Sequence, residues 1–149
     1  MGGYWATVVV PGEATGGAVS LVDLRVEPGG FVVPHAHARE DEIVRVLDGR
    51  IGVRVAGRPG WAEPGDQLVA PPGVPHMFWN VEPEPARLLA VFAPAGFERF
   101  FPAAAPLVAG PWPPDLEGLM ALAADFGISA DWPEWLEEAR AAHPELRRG

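Results

Sequence analysis

Three of the four histidines and one glutamate have the spacing of a divalent metal site. His35 and His37 are two residues apart, and alternate side chains of a β-strand point to the same face, so both imidazoles can reach one ion. Glu42 follows after a short bend, and His76 follows the turn-forming segment 71–75. Imidazole and carboxylate ligands without thiolate suit one divalent transition metal ion, which is Fe, Mn, Ni, Co, Cu or Zn.

The four candidate ligands lie within two longer patterns of glycine, proline and asparagine. The first is Gly29, His35, His37, Glu42 and Gly49, and the second is Gly65, Pro71, Gly73, His76 and Asn80. In type and spacing these ten positions resemble the two sequence motifs of the cupin superfamily. The resemblance implies an all-β fold, a cupin-type antiparallel β-barrel (double-stranded β-helix, or jelly roll), with every metal-ligand position filled.

A finer resemblance covers residues 14–102. Segments 14–18, 39–42 and 94–98 are similar to small bacterial single-domain cupins, among them quercetinase-like dioxygenases. This resemblance implies a dioxygenase, an oxidoreductase acting on a small enolic or phenolic compound at a metal centre of three histidines and one glutamate. Two alternatives stay open, because a fold does not determine a reaction. One is a metal-dependent isomerase or lyase that needs no dioxygen, and the other is a non-catalytic cupin that binds a small ligand.

The carboxylate of the site can be chosen by spacing. Glu42 follows Glu40 and Asp41, so this run also fits an acidic surface stretch. The distance to Gly49 favours Glu42 as the ligand and leaves Asp41 as the second candidate, since a slip of one residue moves a strand side chain to the other face. Glu42 is also the candidate catalytic base, because a carboxylate that loosens from the metal can accept a hydroxyl proton.

Residues that share a strand face with the candidate ligands are the candidate substrate-binding walls. By the alternation of strand side chains they are Val33, Val44 and Phe78. The ordinary alternative is barrel core, since small barrels fill their interiors with apolar side chains. The sequence leaves both interpretations open.

Composition excludes several classes of function. The formal net charge is −9 and lysine is absent, which disfavours nucleic acid as a partner and removes Schiff-base chemistry. Cysteine is absent too, and neither of the two serines lies in a nucleophile elbow. No apolar stretch is long enough to span a membrane. We therefore expect a cytoplasmic protein whose partner is a small-molecule substrate or ligand.

Short apolar runs alternate with glycine and proline turns through the first hundred residues, which is typical of an antiparallel barrel or sandwich. The predicted strands are 7–10, 19–26, 43–47, 51–55, 67–70 and 88–92. Asp48-Gly49 predicts a tight hairpin in which 43–47 pairs with 51–55.

The C-terminal third has a different pattern, although 149 residues suit a single domain overall. We expect the barrel over 1–101 and, over 102–149, a Pro/Ala-rich linker followed by two short α-helices packed on the barrel. The linker would be 102–114, the first helix would run from 114 or 115 to Gly127, and the second from Asp131 to before Pro144. The resemblance further implies a homodimer, in which strand 7–10 can extend a neighbour's sheet.

Overall fold

The computed structural model describes residues 3–109 and 115–130, which form two antiparallel sheets, two α-helices and the short 3-10 helices Gly12–Thr15 and Phe97–Arg99. The strands are β1 Tyr4–Val10, β2 Ser20–Val26, β3 Phe31–His37, β4 Asp41–Asp48, β5 Ile51–Val55, β6 Arg58–Ala62, β7 Gln67–Ala70, β8 His76–Trp79, β9 Ala86–Ala93 and β10 Ile128–Ser129. The α-helices are α1 Phe100–Val108 and α2 Leu116–Asp125. This is the double-stranded β-helix fold that the motifs predicted, with β6 and β10 as strands that the sequence did not indicate.

The two sheets face each other across the main apolar core. The first has the order β1-β2-β9-β4-β7, and the second has the order β10-β3-β8-β5-β6. Strand β4 shows why the sequence folds this way, because its side chains alternate between the core and the outer face. Val44 and Val46 are buried among residues of both sheets, whereas Ile43 and Leu47 are partly exposed.

The predicted pairing of 43–47 with 51–55 is wrong. Strand β4 pairs with β7 and β9, while β5 belongs to the other sheet and pairs with β6 and β8. Gly49 nevertheless makes a sharp turn with a φ of 77°, and an added Cβ would lie 2.9 Å from the Cα of Ala86. The Asp48-Gly49 turn therefore passes the chain from one sheet to the other, a corner that a hairpin signal does not distinguish from a hairpin.

The predicted linker is also wrong over most of its length, because residues 100–108 form α1. Pro102 lies in the first helical turn, where the backbone N–H has no partner within the helix, so proline is tolerated there. The first predicted helix is confirmed as α2, and the side chain of Asp115 accepts a hydrogen bond from the Gly118 amide as its N-cap. The second predicted helix, from Asp131, lies outside the described residues.

A buried carboxylate anchors the turn that leads into α1. Glu98 Oε1 accepts a hydrogen bond from the Gly12 amide at 2.9 Å, and Oε2 accepts one from the Gly96 amide at 2.6 Å. Burial alone would raise the pKa of Glu98, but these hydrogen bonds outweigh it and lower the pKa. The segment that carries Phe97 is thereby fixed against the first loop of the barrel. None of the helices that the structure describes is long and apolar enough to cross a membrane.

Candidate metal centre and its cavity

The four residues predicted as ligands meet between the two sheets. One candidate ligand atom from each of His35, His37, Glu42 and His76 lies within 4.8 Å of the others. Glu42 Oε2 is 2.7 Å from His76 Nε2, 2.9 Å from His37 Nε2 and 3.8 Å from His35 Nε2. All four residues are at most 8% exposed. They form a potential metal-binding site.

The register of the strands explains why residues distant in sequence meet. His35 on β3 lies directly opposite His76 on β8 in the second sheet. Glu42 enters from β4 of the first sheet, where it lies opposite Phe92. The His-x-His spacing places His37 beside His35, with ring centroids 5.1 Å apart. The site is therefore built by both sheets, and the fold must close before it exists.

Backbone carbonyls hold two of the three imidazoles. His35 Nδ1 is 2.7 Å from the Val33 carbonyl oxygen, and His76 Nδ1 is 3.0 Å from the Val74 carbonyl oxygen. Each Nδ1–H can donate to its carbonyl, which turns the Nε2 lone pair toward the centre of the cluster when that atom is deprotonated. Metal-ligating histidines usually donate a hydrogen bond from the ring nitrogen that does not bind the metal, as Nδ1 can do here. The three imidazoles, the carboxylate and these backbone hydrogen bonds therefore fit a divalent transition metal.

The cluster perturbs its own ionisation. Burial raises the pKa of Glu42, but the nearby His35 imidazole and the hydrogen bonds from His37 and His76 outweigh burial and hold that pKa well below its usual range. Burial lowers the pKa of His35. For His76 burial also acts to lower the pKa, yet the hydrogen bond to Glu42 and its negative charge outweigh burial, and the pKa is raised. Both nitrogens of the His76 ring face oxygen acceptors, so a protonated ring satisfies both.

Metal affinity should rise with pH across the raised pKa of His76, because an ion can bind Nε2 only after its proton has left. We expect about a tenfold gain per pH unit below that pKa, from one released proton. The free energy of unfolding of the metal-free protein should instead fall as pH rises through the pKa of His76. A raised folded-state pKa adds stability that is complete below the unfolded pKa and is lost as pH rises through the folded pKa.

Zinc titrations against a competing chelator and thermal melts of the metal-free protein, both across pH 5–8, would measure the two slopes. His143→Ala is the matched control, because it removes the fourth histidine and should leave both pH dependences unchanged. An affinity independent of pH would contradict the assignment of a bound proton to His76.

The structure separates the other candidate residues. Asp41, the second candidate for the carboxylate ligand, is exposed on β4. Val33 and Phe78 line a cavity beside the cluster. Val44 is fully buried in the core and is not among the lining residues, so its prediction as a wall is wrong and the barrel-core alternative is right for it. Val44 shares a strand face with Glu42 but packs within the apolar core between the sheets instead.

The cavity contains about 620 Å³ of empty space, including its mouth, and is almost entirely apolar. The barrel contributes aliphatic and aromatic side chains, and the helical segment adds more. From the helical segment these are Phe97, Phe100, Phe101, Leu119 and Ala123. Sequence reasoning missed this wall. The spacing of Phe97, Phe100 and Phe101 at i, i+3 and i+4 is a helical pattern that would have indicated it.

Tyr4 is a second residue that sequence reasoning missed. Its side chain lines the cavity together with His35 and Glu42, which are the other polar lining residues that the structure describes. Burial, and then the negative charge of Glu42, raise the pKa of Tyr4 to about 12. The phenol therefore stays protonated near neutral pH and can donate a hydrogen bond into the cavity. A lone tyrosine near the start of a strand carries no sequence signal for this role.

Comparison with known proteins agrees with this geometry. Residues 22–92 match the Cupin_2 family model, described as a cupin domain. Germin-like protein 4-1 of Oryza sativa subsp. japonica is 32% identical over 143 residues, which cover 89% of this chain and 54% of that protein. The chain thus spans about half the length of this curated relative.

Two solved structures share the fold. The structure of KdgF from Halomonas sp. has a TM-score of 0.59 and 26% identity, and the match covers 65% of this chain and 84% of that one. A sugar phosphate isomerase of the cupin superfamily from Silicibacter pomeroyi has a TM-score of 0.52 and 28% identity, with 59% of each chain covered. Residues 22–92 therefore form a cupin domain, the structural neighbours lie in the cupin superfamily, and the His/Glu cluster is capable of binding a metal.

Proposed function

We propose that this protein is a metal-dependent dioxygenase, similar to quercetinases, that acts on a small and largely apolar enolic or phenolic compound. The observation that carries the proposal is the apolar cavity beside the His/Glu cluster. Ligand sites of this kind combine apolar walls with a few polar groups that fix orientation. A planar ring would pack against Phe78, Phe92 and Phe97, with its oxygen directed toward His35 and Glu42.

The lining also argues against a strongly polar substrate. A sugar phosphate carries several hydroxyl groups and a dianion, which require hydrogen-bond partners and positive charge. The cavity lining that the structure describes contains no arginine, and the chain has no lysine. Burying a phosphate against these side chains would leave it without charged partners.

The residues have separable roles in the proposed reaction. A divalent metal held by His35, His37, Glu42 and His76 would supply Lewis acidity that lowers the pKa of an enol or phenol hydroxyl group. Glu42 accepts the hydroxyl proton, because its carboxylate is ionised and lines the cavity. The apolar walls orient the ring and exclude water from the reacting atoms.

Oxygen consumption tests the proposal. The protein is reconstituted separately with Fe, Mn, Ni, Co, Cu and Zn and supplied with flavonols, catechols and β-diketones. We expect oxygen uptake with at least one metal and one compound, and none after chelation or in His76→Ala. Absence of uptake across the panel, with stoichiometric metal bound, would contradict the dioxygenase. Saturable binding without any product would then indicate a ligand-binding cupin.

A metal-dependent isomerase or lyase is the second candidate, favoured by the structural likeness to a sugar phosphate isomerase. The same polarised oxygen and the same base could promote enolisation without consuming dioxygen. Turnover of the panel compounds under anaerobic conditions separates this candidate from the first. Product formed at an unchanged rate without oxygen would favour the isomerase or lyase.

Tyr4→Phe should weaken binding of a flavonol by about 2–10-fold, the equivalent of one hydrogen bond of about 0.5–1.5 kcal/mol. The change removes one oxygen atom and keeps the ring that lines the cavity. Fluorescence titration of the metal-loaded protein measures the dissociation constant. Trp5→Phe is the control on the same strand, because Trp5 is 70% exposed and is not among the cavity-lining residues. Equal affinities for wild type and Tyr4→Phe would remove Tyr4 from the binding site.

We also propose that the protein forms a homodimer through strand β1. That strand lies at the edge of the first sheet, and its outward side chains include Trp5 and Val9, which are 70% and 53% exposed. Pairing of residues 7–10 with a neighbour's sheet would use this edge, which no described strand covers. Light scattering of the purified protein should give twice the chain mass, and a monomer mass would contradict the proposal.

A further inference from the structure

The three imidazoles of the cluster are not held in the same way. His35 and His76 each face a backbone carbonyl with Nδ1, at 2.7 Å and 3.0 Å. His37 has no carbonyl in this place among the described residues, and its Nδ1 lies 3.6 Å from Oε2 of Glu40. The third ring therefore faces a carboxylate where the other two face peptide oxygens.

Both atoms of this contact are buried and lack a hydrogen bond. His37 is 1% exposed and Glu40 is 5% exposed. His37 Nδ1 and Glu40 Oε2 make no hydrogen bond to any other described residue. A buried polar atom without a partner costs about 1–3 kcal/mol, and a buried charge costs more. The two atoms are 3.6 Å apart, and this distance exceeds that of a charge-assisted hydrogen bond by less than about 1 Å.

The backbone between His37 and Glu40 is fixed at its His37 end. The carbonyl of His37 accepts a hydrogen bond from the Gly73 amide at 2.7 Å, and the Ala38 amide donates to the Gly127 carbonyl at 2.9 Å. Asp41, the next residue after Glu40, points outward and is exposed. The turn between β3 and β4 thus directs one carboxylate inward and its neighbour outward, so an acidic surface run does not describe Glu40.

We propose that Glu40 is a positioning residue that accepts a hydrogen bond from His37 Nδ1–H and directs the His37 Nε2 lone pair toward the bound metal. This inference rests on the proposed metal binding. Carboxylate–histidine pairs of this kind set the tautomer and raise the basicity of the ligand. The four ligands would supply one negative charge, from Glu42, so one positive charge of a divalent ion would remain uncompensated. The carboxylate of Glu40 beside the site would offset that charge.

Zinc affinity, measured by chelator competition at fixed pH, tests the proposal with four variants. Glu40→Ala should weaken binding about 10–100-fold, the range for loss of an outer-shell partner. Glu40→Gln keeps an oxygen that can accept the hydrogen bond but loses the charge, so its loss should be smaller, about tenfold or less. Asp41→Asn is the matched control and should bind as the wild type does. His37→Ala should not bind tightly.

A second measurement reports on the ring itself. In the zinc-loaded protein, nitrogen-15 NMR of the imidazoles should show His37 protonated at Nδ1, with a downfield Nδ1 proton that moves upfield in Glu40→Gln. A merely structural role for Glu40 would alter the thermal midpoint and leave this resonance in place. If Glu40→Ala does not fold, Glu40→Gln and the resonance decide the matter.

The outcomes distinguish failure of the proposed metal centre from failure of the proposed role of Glu40. Failure of the wild type to bind zinc would overturn both the proposed metal centre and the role of Glu40. The role of Glu40 alone would be overturned by a different set of results. The wild type would bind zinc and His37→Ala would not, while Glu40→Gln would keep the wild-type affinity and show the Nδ1 proton resonance unmoved. Weakened binding in both Glu40 variants with an unaffected Asp41→Asn would support it.

Discussion

His37→Ala should abolish tight metal binding while leaving a folded barrel. The variant removes one of three imidazoles whose Nε2 atoms surround Glu42 Oε2, and it also leaves Glu40 without its buried partner. Loss of an outer-shell partner alone costs about 10–100-fold in metal affinity, so loss of a direct ligand should exceed about 100-fold. Equilibrium dialysis followed by elemental analysis measures the bound metal, and circular dichroism measures the fold.

The matched control for this variant is His143→Ala. His143 is the one histidine of the sequence outside the two motifs, so its removal tests whether any histidine would have the same effect. Retention of stoichiometric metal by the control and its loss from His37→Ala would locate the site. Undiminished metal in His37→Ala would show that the ligand assignment is wrong.

Phe97→Ala should lower the free energy of unfolding by about 3–5 kcal/mol, the usual cost of truncating a buried phenylalanine. Phe97 is 5% exposed and lies at the centre of an aromatic cluster. Its ring centroid is 4.4 Å from that of His37, 4.9 Å from Phe92 and 5.2 Å from Phe100. The change removes an aromatic contact between the segment 97–101 and the barrel at the site.

Chemical denaturation of the metal-free protein measures this loss, and zinc affinity measured in parallel reports on His37. Phe97→Leu is the control, because it keeps most of the buried volume and should lose less stability. Zinc affinity should fall in Phe97→Ala as well, because the His37 ring loses its edge-to-face contact with the Phe97 ring. A loss below about 1 kcal/mol would mean that the cluster does not hold the helices on the barrel.

The candidate ligands could be predicted from the sequence because two local rules sufficed for most of them. Strand alternation places His35 and His37 on one side, and the turn at residues 71–75 delivers His76 into β8. Local rules do not predict that Glu42, on β4 of the other sheet, reaches the same point. The resemblance to the cupin motifs supplied that prediction. The metal-ligating role of these residues stays a proposal.

The errors have a common physical cause, because each concerns a contact between elements distant in sequence. Asp48-Gly49 signals a turn but does not say which strands it joins, and here it connects the two sheets. The prolines of segment 102–108 suggested a linker, but Pro102 is tolerated in the first turn of α1 and Pro106 lies inside the same helix, whose aromatic residues pack on the barrel. Val44 points to the same side of β4 as Glu42, as predicted, yet it does not line the cavity. Its distance from the His/Glu cluster depends on how the two sheets pack, which strand alternation does not give.

Diffraction from crystals of the metal-loaded protein, recorded on both sides of the absorption edge of the metal, tests the central claim most directly. The account predicts one anomalous peak between the sheets, at bonding distance from His35, His37 and His76 Nε2 and from a carboxylate oxygen of Glu42. A stoichiometrically bound ion located elsewhere, with these four groups still contacting only each other, would contradict it.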